Sequence, residues 1–306
     1  MQRDVIHRYQ GNPIIGINDL PFRCSDIWNA GVVRFQERYL LLITVETLEG
    51  LSDIYRAYST DGHHFTVQGE AFLGSCPGAA DQGYRAYGVH DARVTRIDST
   101  YYILFVAVSR HGQRLGLART RDFQTIDEMH YVSEPDNKSA ALFPCQIDGQ
   151  YVMLERPLEG NSIWLSYSRD LMYWGRSTVV LTPRSGYWDC DRVGTACPPL
   201  AINEGWLLIY YGEKHTSAGP LLRLGAAILH RDDPSRVLAR SNIPILSPRE
   251  RYERIGDVGN VVFSCGAVLE NGHFKLYYGA SDSCICLGTC TLDNILKVCR
   301  KSQEAY

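Results

Sequence analysis

The chain has 306 residues, 45% hydrophobic and 21% charged, which is enough for one large domain or two ordinary ones with a substantial core. Lys plus Arg number 31 against 34 Asp plus Glu, a net charge of −3, so there is no basic excess to displace phosphate counterions and a nucleic-acid partner is not expected. Met1 to Arg8 carries neither an apolar core nor a small-residue cleavage site, and no apolar run approaches the roughly 20 residues of a membrane span, so the expectation is a cytoplasmic protein without signal or membrane segment.

In chain order, one phrase recurs five times: an apolar strand, a polar turn, an aromatic-rich strand, and a third strand that often ends in Ser or Thr and an Asp. The first copy runs from Gly31 to Phe35, turns at Gln36 to Arg38, and continues through Tyr39–Val45 and Ile54–Asp61. The second starts at Ala92, the third at Ala141, the fourth at Pro199 and the fifth at Cys265. Their turns, such as Asp148-Gly149 and Asn271-Gly272, are strong hairpin signals. Only Asp293 to Ser302 reads as a helix. The repeats predict an all-β fold, a single five-bladed β-propeller spanning 1–306 with a short C-terminal helix; a β-sandwich is the alternative.

A propeller gathers the beginnings of its innermost strands around a central funnel, and polar residues at those positions are the candidates for chemistry. They are Asn29, Asp91 with Arg93, Lys138, Arg156, Arg192 and Asp282. Asp91 is expected just before an inner strand, with Arg93 two residues on and on the same side. Guanidinium forks suit an oxyanion such as phosphate, and a carboxylic acid beside one can protonate a leaving oxygen. Trp28, Tyr87, Tyr187 and Trp188 are candidates to stack on a sugar ring. Each has a plainer explanation, and Asp91 with Arg93 alone reads more readily as a surface ion pair.

The ten cysteines are scattered, several of them (Cys145, Cys197, Cys265, Cys290) in apolar strand patterns, and are expected as buried free thiols. Cys284, Cys286 and Cys290 look like a metal cluster at first sight. A C-x-C pair on a strand puts both sulfurs on one buried face, however, with no His close by, so neither a metal nor a cofactor is expected.

Several ordered phrases resemble glycoside hydrolase family 130, the β-mannoside phosphorylases and related β-mannosidases. They are Arg8 to Ile14, Asn29 to Val33, Gly88 to Arg93, Ala141 to Pro144, Tyr151 to Pro157, Gly205 to Gly212, Asp232 to Val237, and Tyr277 to Asp282. The resemblance implies a five-bladed propeller in which Asp91 is the catalytic acid, delivering its proton through the 3-hydroxyl of the mannosyl unit. Inorganic phosphate is then the co-substrate and attacks C1 from the opposite face. By the same resemblance Asn29 and Asp282 hold the mannosyl unit, with Glu46, His90 and Arg93 beside them as substrate-binding candidates. Lys138, Arg156, Arg192 and Tyr211 match the phosphate ligands. The chain departs from the family pattern in six places: His90 and Ala92 flank the acid where Glu and Pro are usual, and Thr44 replaces an Arg. Lys138 and Arg192 exchange Lys and Arg, and Tyr211 replaces His.

The expected function is therefore inverting phosphorolysis of a short β-mannoside, linked β-1,4 or β-1,2, to α-mannose 1-phosphate, with homo-oligomer formation left open. One alternative is a β-mannosidase of the same family, which needs a base for water, with Glu213 or Glu253 as candidates. The other is a non-catalytic glycan-binding propeller.

Overall fold

Polar two-residue turns cut the chain into antiparallel meanders, and the computed structural model describes them over residues 4–76 and 83–300. The first meander is β3 (Asp26–Phe35), β4 (Arg38–Glu46), β5 (Ser52–Ser59) and β6 (Thr66–Leu73), preceded by the short β1 (His7–Arg8) and β2 (Ile15–Gly16). The second is β7 (Gly88–Ile97), β8 (Thr100–Ser109), β9 (Gly112–Thr120) and β10 (Glu128–Tyr131). The third is β11 (Asn137–Leu142), β12 (Tyr151–Pro157), β13 (Ile163–Ser168) and β14 (Gly175–Leu181). The fourth holds β15 (Arg192–Thr195), β16 (Leu200–Ile202), β17 (Gly205–Thr216), β18 (Gly219–Leu229) and β19 (Val237–Arg240). The fifth is β20 (Val262–Glu270), β21 (His273–Ala280) and β22 (Cys284–Thr291), to which β1 and β2 add from the N-terminus.

By hydrogen bonding these form four sheets, because the first two meanders are joined by one parallel pair, Ser52 with Gly88. The chain is thus all-β with few helices. The helix expected over Asp293 to Ser302 is α2 (Leu292–Arg300), its buried face formed by Ile295, Leu296 and Cys299; Ser302 lies outside the described residues. A single-turn α1 (Arg251–Arg254) was not expected from the sequence.

Five apolar clusters fill the spaces between meanders, one for each successive pair. Leu40, Leu42 and Ile54 of the first meet Val89, Ile103 and Phe105 of the second. Ile27, Leu41 and Ile43 of the first also meet Tyr277, Ile285 and Leu287 of the fifth. Each such side chain, fully buried, contributes about 1.5–3 kcal/mol. Innermost strands approach closely: a Cβ on Gly31 of β3 would stand 2.3 Å from the Ala92 carbonyl of β7, and one on Gly266 of β20 would stand 2.3 Å from the Val32 amide of β3.

The recurrent Ser/Thr and Asp have a local cause. Asp61 Oδ1 accepts from the amides of His63 and His64, Asp122 Oδ1 from those of Gln124 and Thr125, and Asp170 Oδ1 from those of Met172 and Tyr173. The hydroxyls of Ser59, Thr120 and Ser168 accept from the third residue on, so each third strand ends in the same carboxylate-closed turn. All ten cysteines are free. Cys145, expected in a buried strand, is exposed, because β11 stops at Leu142 ahead of Pro144 and leaves it in the turn.

Candidate active site

The inner strands begin earlier than their apolar runs suggest, and four of them are broken by a bulge, β20 between Ser264 and Gly266 and three others at residues of positive φ. In β3 the register shifts between Trp28 and Ala30, in β7 between His90 and Arg93, and in β11 between Lys138 and Ala141. The residues at the shifts, Asn29, Asp91 and Ser139, all have positive φ, at 43°, 60° and 56°. Asn and Asp tolerate that conformation better than most residues, and a bulge re-aims a side chain off the pleat. Asp91 is therefore inside β7 rather than before it, and its relation to Arg93 is not the simple alternation of a regular strand.

The three bulges open on one cavity of about 320 Å³, also lined by Trp28, His90, Lys138, Arg192, Tyr211, Glu213, Phe263 and Asp282. A larger groove of about 650 Å³ lies elsewhere, beside Tyr58, His64 and Asp122, and contains none of the residues expected to act. The smaller cavity is the candidate site because the bulged strands converge there.

Asp91 is 6% exposed. Its Oδ1 accepts from Asn29 Nδ2 at 2.8 Å and lies 3.4 Å from His90 Nδ1, and its amide donates to Thr44 Oγ1 at 3.2 Å. Burial disfavours its charge, but the His90 imidazole, the Arg93 guanidinium and the Asn29 hydrogen bond outweigh burial and hold the carboxyl below the usual carboxylate range. Asp282, at φ 49° after β21, behaves oppositely. Burial, then the negative charges of Asp91, Asp257 and Asp26, push it from 3.8 up to about 7 against the pull of Lys138. Of the two carboxylates in this cavity, Asp282 is therefore the one that takes a proton more readily, while Asp91 is held ionised.

Cations line the same cavity. Arg192 Nη1 is 3.2 Å from Glu213 Oε2, and its Nε donates to Asn161 Oδ1 at 3.1 Å. The buried Glu213 also lies 3.3 Å from His215 Nε2. The hydroxyls of Tyr211 and Ser139 are 3.4 Å apart. Lys138 stands directly opposite Arg156 in the β11–β12 register. Arg156 is 0% exposed, and none of its three guanidinium nitrogens has a hydrogen-bond partner among the described residues. A buried charge left this way costs on the order of several kcal/mol unless an anion or water satisfies it.

Four sequence candidates sit apart from the cavity lining. The Arg93 guanidinium donates to three backbone oxygens, of Ala196 at 2.7 Å, Asp91 at 3.0 Å and Thr195 at 3.1 Å, and so stitches β7 to β15. It is buried, as is Asp91, and it contacts the Asp91 carbonyl rather than forming a surface ion pair with the carboxylate. Glu46 ends β4 opposite Asp26. Glu253 is fully buried and accepts from Arg8 at 2.7 and 2.8 Å, from Tyr278 at 2.9 Å, and from the amides of Arg249 and Glu250. Arg156 reaches the site only through its position opposite Lys138.

Among the aromatics, Trp28 lines the cavity, Trp188 stacks on Tyr210 within the core, Tyr187 lies under Arg184, and Tyr87 is exposed. Sequence reasoning missed Ser139. Its signal was Ser139-Ala140-Ala141-Leu142, which repeats the spacing of Asn29-Ala30-Gly31-Val32 and Asp91-Ala92-Arg93-Val94.

Two carboxylates, of Asp91 and Asp282, and the cations Lys138 and Arg192 thus line one polar cavity in an all-β chain, and similarity to known proteins places that chain among carbohydrate-active enzymes. A family model described as β-1,4-mannooligosaccharide phosphorylase matches residues 4–301, and the chain belongs to this family, glycoside hydrolase family 130. It is 39% identical over 240 residues to a β-1,2-mannobiose phosphorylase of Listeria innocua, a match covering 77% of this chain and 65% of that protein, just under two thirds of its length. A β-1,4-mannooligosaccharide phosphorylase of Ruminococcus albus is 29% identical over 305 residues, covering 96% of this chain and 90% of that one. The solved structure of the β-1,2-mannobiose phosphorylase from Listeria innocua, in complex with β-1,2-mannobiose, superposes with a TM-score of 0.87 at 32% identity, covering 97% of this chain and 99% of that one.

Proposed function

We propose that this chain is an inverting β-mannoside phosphorylase that transfers a mannosyl unit from a short β-mannoside to inorganic phosphate. The observation that carries the reading is that Asp91 and Asp282 line one cavity with Lys138 and Arg192, while Arg156, without a hydrogen-bond partner among the described residues, stands opposite Lys138. A phosphate oxygen attacks C1, the glycosidic bond breaks, and the leaving oxygen takes a proton, giving α-mannose 1-phosphate and the shortened sugar. Asp91 is the general acid, and Asp282 keeps the proton in the resting site until the mannosyl hydroxyls bridge the two carboxylates. Asn29 orients Asp91, while Glu46, His90 and Arg93 shape the sugar subsite directly or through β7. Lys138, Arg156, Arg192 and Tyr211 bind phosphate. Arg supplies a two-pronged donor that Lys does not, so their exchange at 138 and 192 repositions the anion.

A β-1,2 linkage is favoured over β-1,4, because identity to the Listeria protein exceeds identity to the Ruminococcus one. The chain works as one domain of five blades, a reading supported by five meanders whose apolar clusters close in cyclic order from fifth to first. Ten free cysteines fit a reducing cytoplasm.

Hydrolysis is the second reading, favoured by one fact: the Glu213 carboxylate lines the cavity. A panel of β-1,2- and β-1,4-mannosides incubated with and without phosphate separates the two. Mannose 1-phosphate formed only with phosphate supports phosphorolysis. Free mannose released equally fast without phosphate overturns it and transfers the role of base to Glu213.

A further inference from the structure

The carboxylate-closed turn occurs after three third strands, but only one copy carries imidazoles. Where the second copy has Gln124 and Thr125 and the third has Met172 and Tyr173, the first has His63 and His64. Asp61 Oδ1 is occupied by the two amides and the Ser59 hydroxyl, as in the other turns. Its Oδ2 faces the two rings instead, 2.8 Å from His64 Nδ1 and 3.4 Å from His63 Nε2. The three donor atoms all lie within 4.8 Å of one another.

The geometry points to a binding site for a divalent transition metal, zinc in the first instance, on Asp61, His63 and His64. Two nitrogens and one carboxylate oxygen are the donor set of three-ligand zinc sites. Metal–ligand bonds of 2.0–2.2 Å at a tetrahedral angle put donor atoms about 3.3–3.6 Å apart, so the 3.4 Å to His63 already fits and the 2.8 Å to His64 must open by roughly half an ångström. Backbone hydrogen bonds to Oδ1 fix the carboxylate and turn Oδ2, which now hydrogen-bonds His64 Nδ1, toward the two imidazoles, so a metal would replace that proton between ligands already placed. The Tyr9 ring, 5.2 Å from that of His63, limits the swing of that imidazole. His64 also lines the 650 Å³ groove with Tyr58, Gln68, Asp122 and Gln124, so the remaining coordination positions open toward a polar surface cleft remote from the Asp91 cavity.

Zinc and cobalt(II) titrations of the full-length protein test the assignment, with cobalt absorption reporting ligand type. The expected result is one equivalent bound in the micromolar range, with visible bands of a nitrogen–oxygen site and no intense sulfur charge-transfer band. His63→Ala and His64→Ala, the latter at a side chain 79% exposed, should each weaken binding by at least about tenfold while the far-ultraviolet dichroism stays native. Grafting the pair onto the second turn (Gln124→His with Thr125→His) should create a second equivalent. Binding unchanged in both alanine variants, a thiolate spectrum, or no binding at millimolar metal would each overturn the site and leave the turn as a hydrogen-bonded carboxylate with two imidazoles.

Discussion

At Arg156, stability and the proposed phosphate binding oppose each other in a single side chain. Its guanidinium is fully buried with no partner among the described residues, so an apolar side chain of similar reach removes the cost of burying the charge. Arg156→Met should raise the melting temperature in phosphate-free buffer while raising the KM for phosphate at least tenfold, as measured by thermal unfolding and initial rates side by side. Asp91→Asn keeps shape and burial but removes the carboxyl that would pass a proton on, and should lower kcat by about 10²–10⁴-fold with an unchanged fold. Asp282 carries the pH dependence. Its native value near 7 lies above the ordinary 3.8, so between about pH 4 and 7 the native protein holds a proton that the unfolded chain has released. Stability should therefore fall as pH rises through that window, and activity should decline above about pH 7 as the pair loses its proton. Asp282→Asn should flatten the stability profile over the same range in denaturant titrations. Asp91, held low, acts only below that window.

At the level of strands, the bulges are what bring Asn29, Asp91 and Ser139 to a common cavity, and Thr44 maintains the one in β7. Its hydroxyl accepts the Asp91 amide in a fully buried setting. Thr44→Val preserves volume and orphans that amide; the expected loss is about 1–3 kcal/mol in chemical denaturation, with kcat falling more than the KM for phosphate changes. The five repeats were legible because Asp-Gly and Asn-Gly turns punctuate apolar runs and because Ser/Thr-x-Asp closes the third strands. The bulges were not legible, since the apolar runs of β3, β7 and β11 begin only after the shifted residue, and so Asp91 read as preceding its strand. Aligning the repeats on their Ala residues would have exposed them. Arg93 misled for another reason: spacing on a regular strand placed it beside the carboxylate, whereas its three acceptors include Thr195 and Ala196, about a hundred positions onward. Glu253 was no easier to read, because the Arg8 that holds it lies at the other end of the chain.

For the whole molecule, that Arg8–Glu253 pair ties the N-terminal strand to the segment ahead of the last meander. Arg8 also bonds Asp4 and the Ser247 carbonyl, and β1 pairs with β22. Arg8→Ala leaves a buried carboxylate without its cation, and the expected cost is about 3–5 kcal/mol of unfolding free energy, measurable by urea denaturation. A loss within about 1 kcal/mol would mean that the amides and Tyr278 suffice to hold Glu253.

The absence of a side chain at Gly31 has its own consequence for the chemistry. A methyl group there would meet the Ala92 carbonyl, a main-chain atom that cannot rotate out of the way, and the residue bonded to Ala92 is Asp91, the proposed acid. Gly31→Ala would act as a wedge driven between two staves, shifting Asp91 without touching it. On the proposed mechanism, the seam between the first two meanders is therefore also the gauge that sets how far the proton donor would stand from a bound sugar.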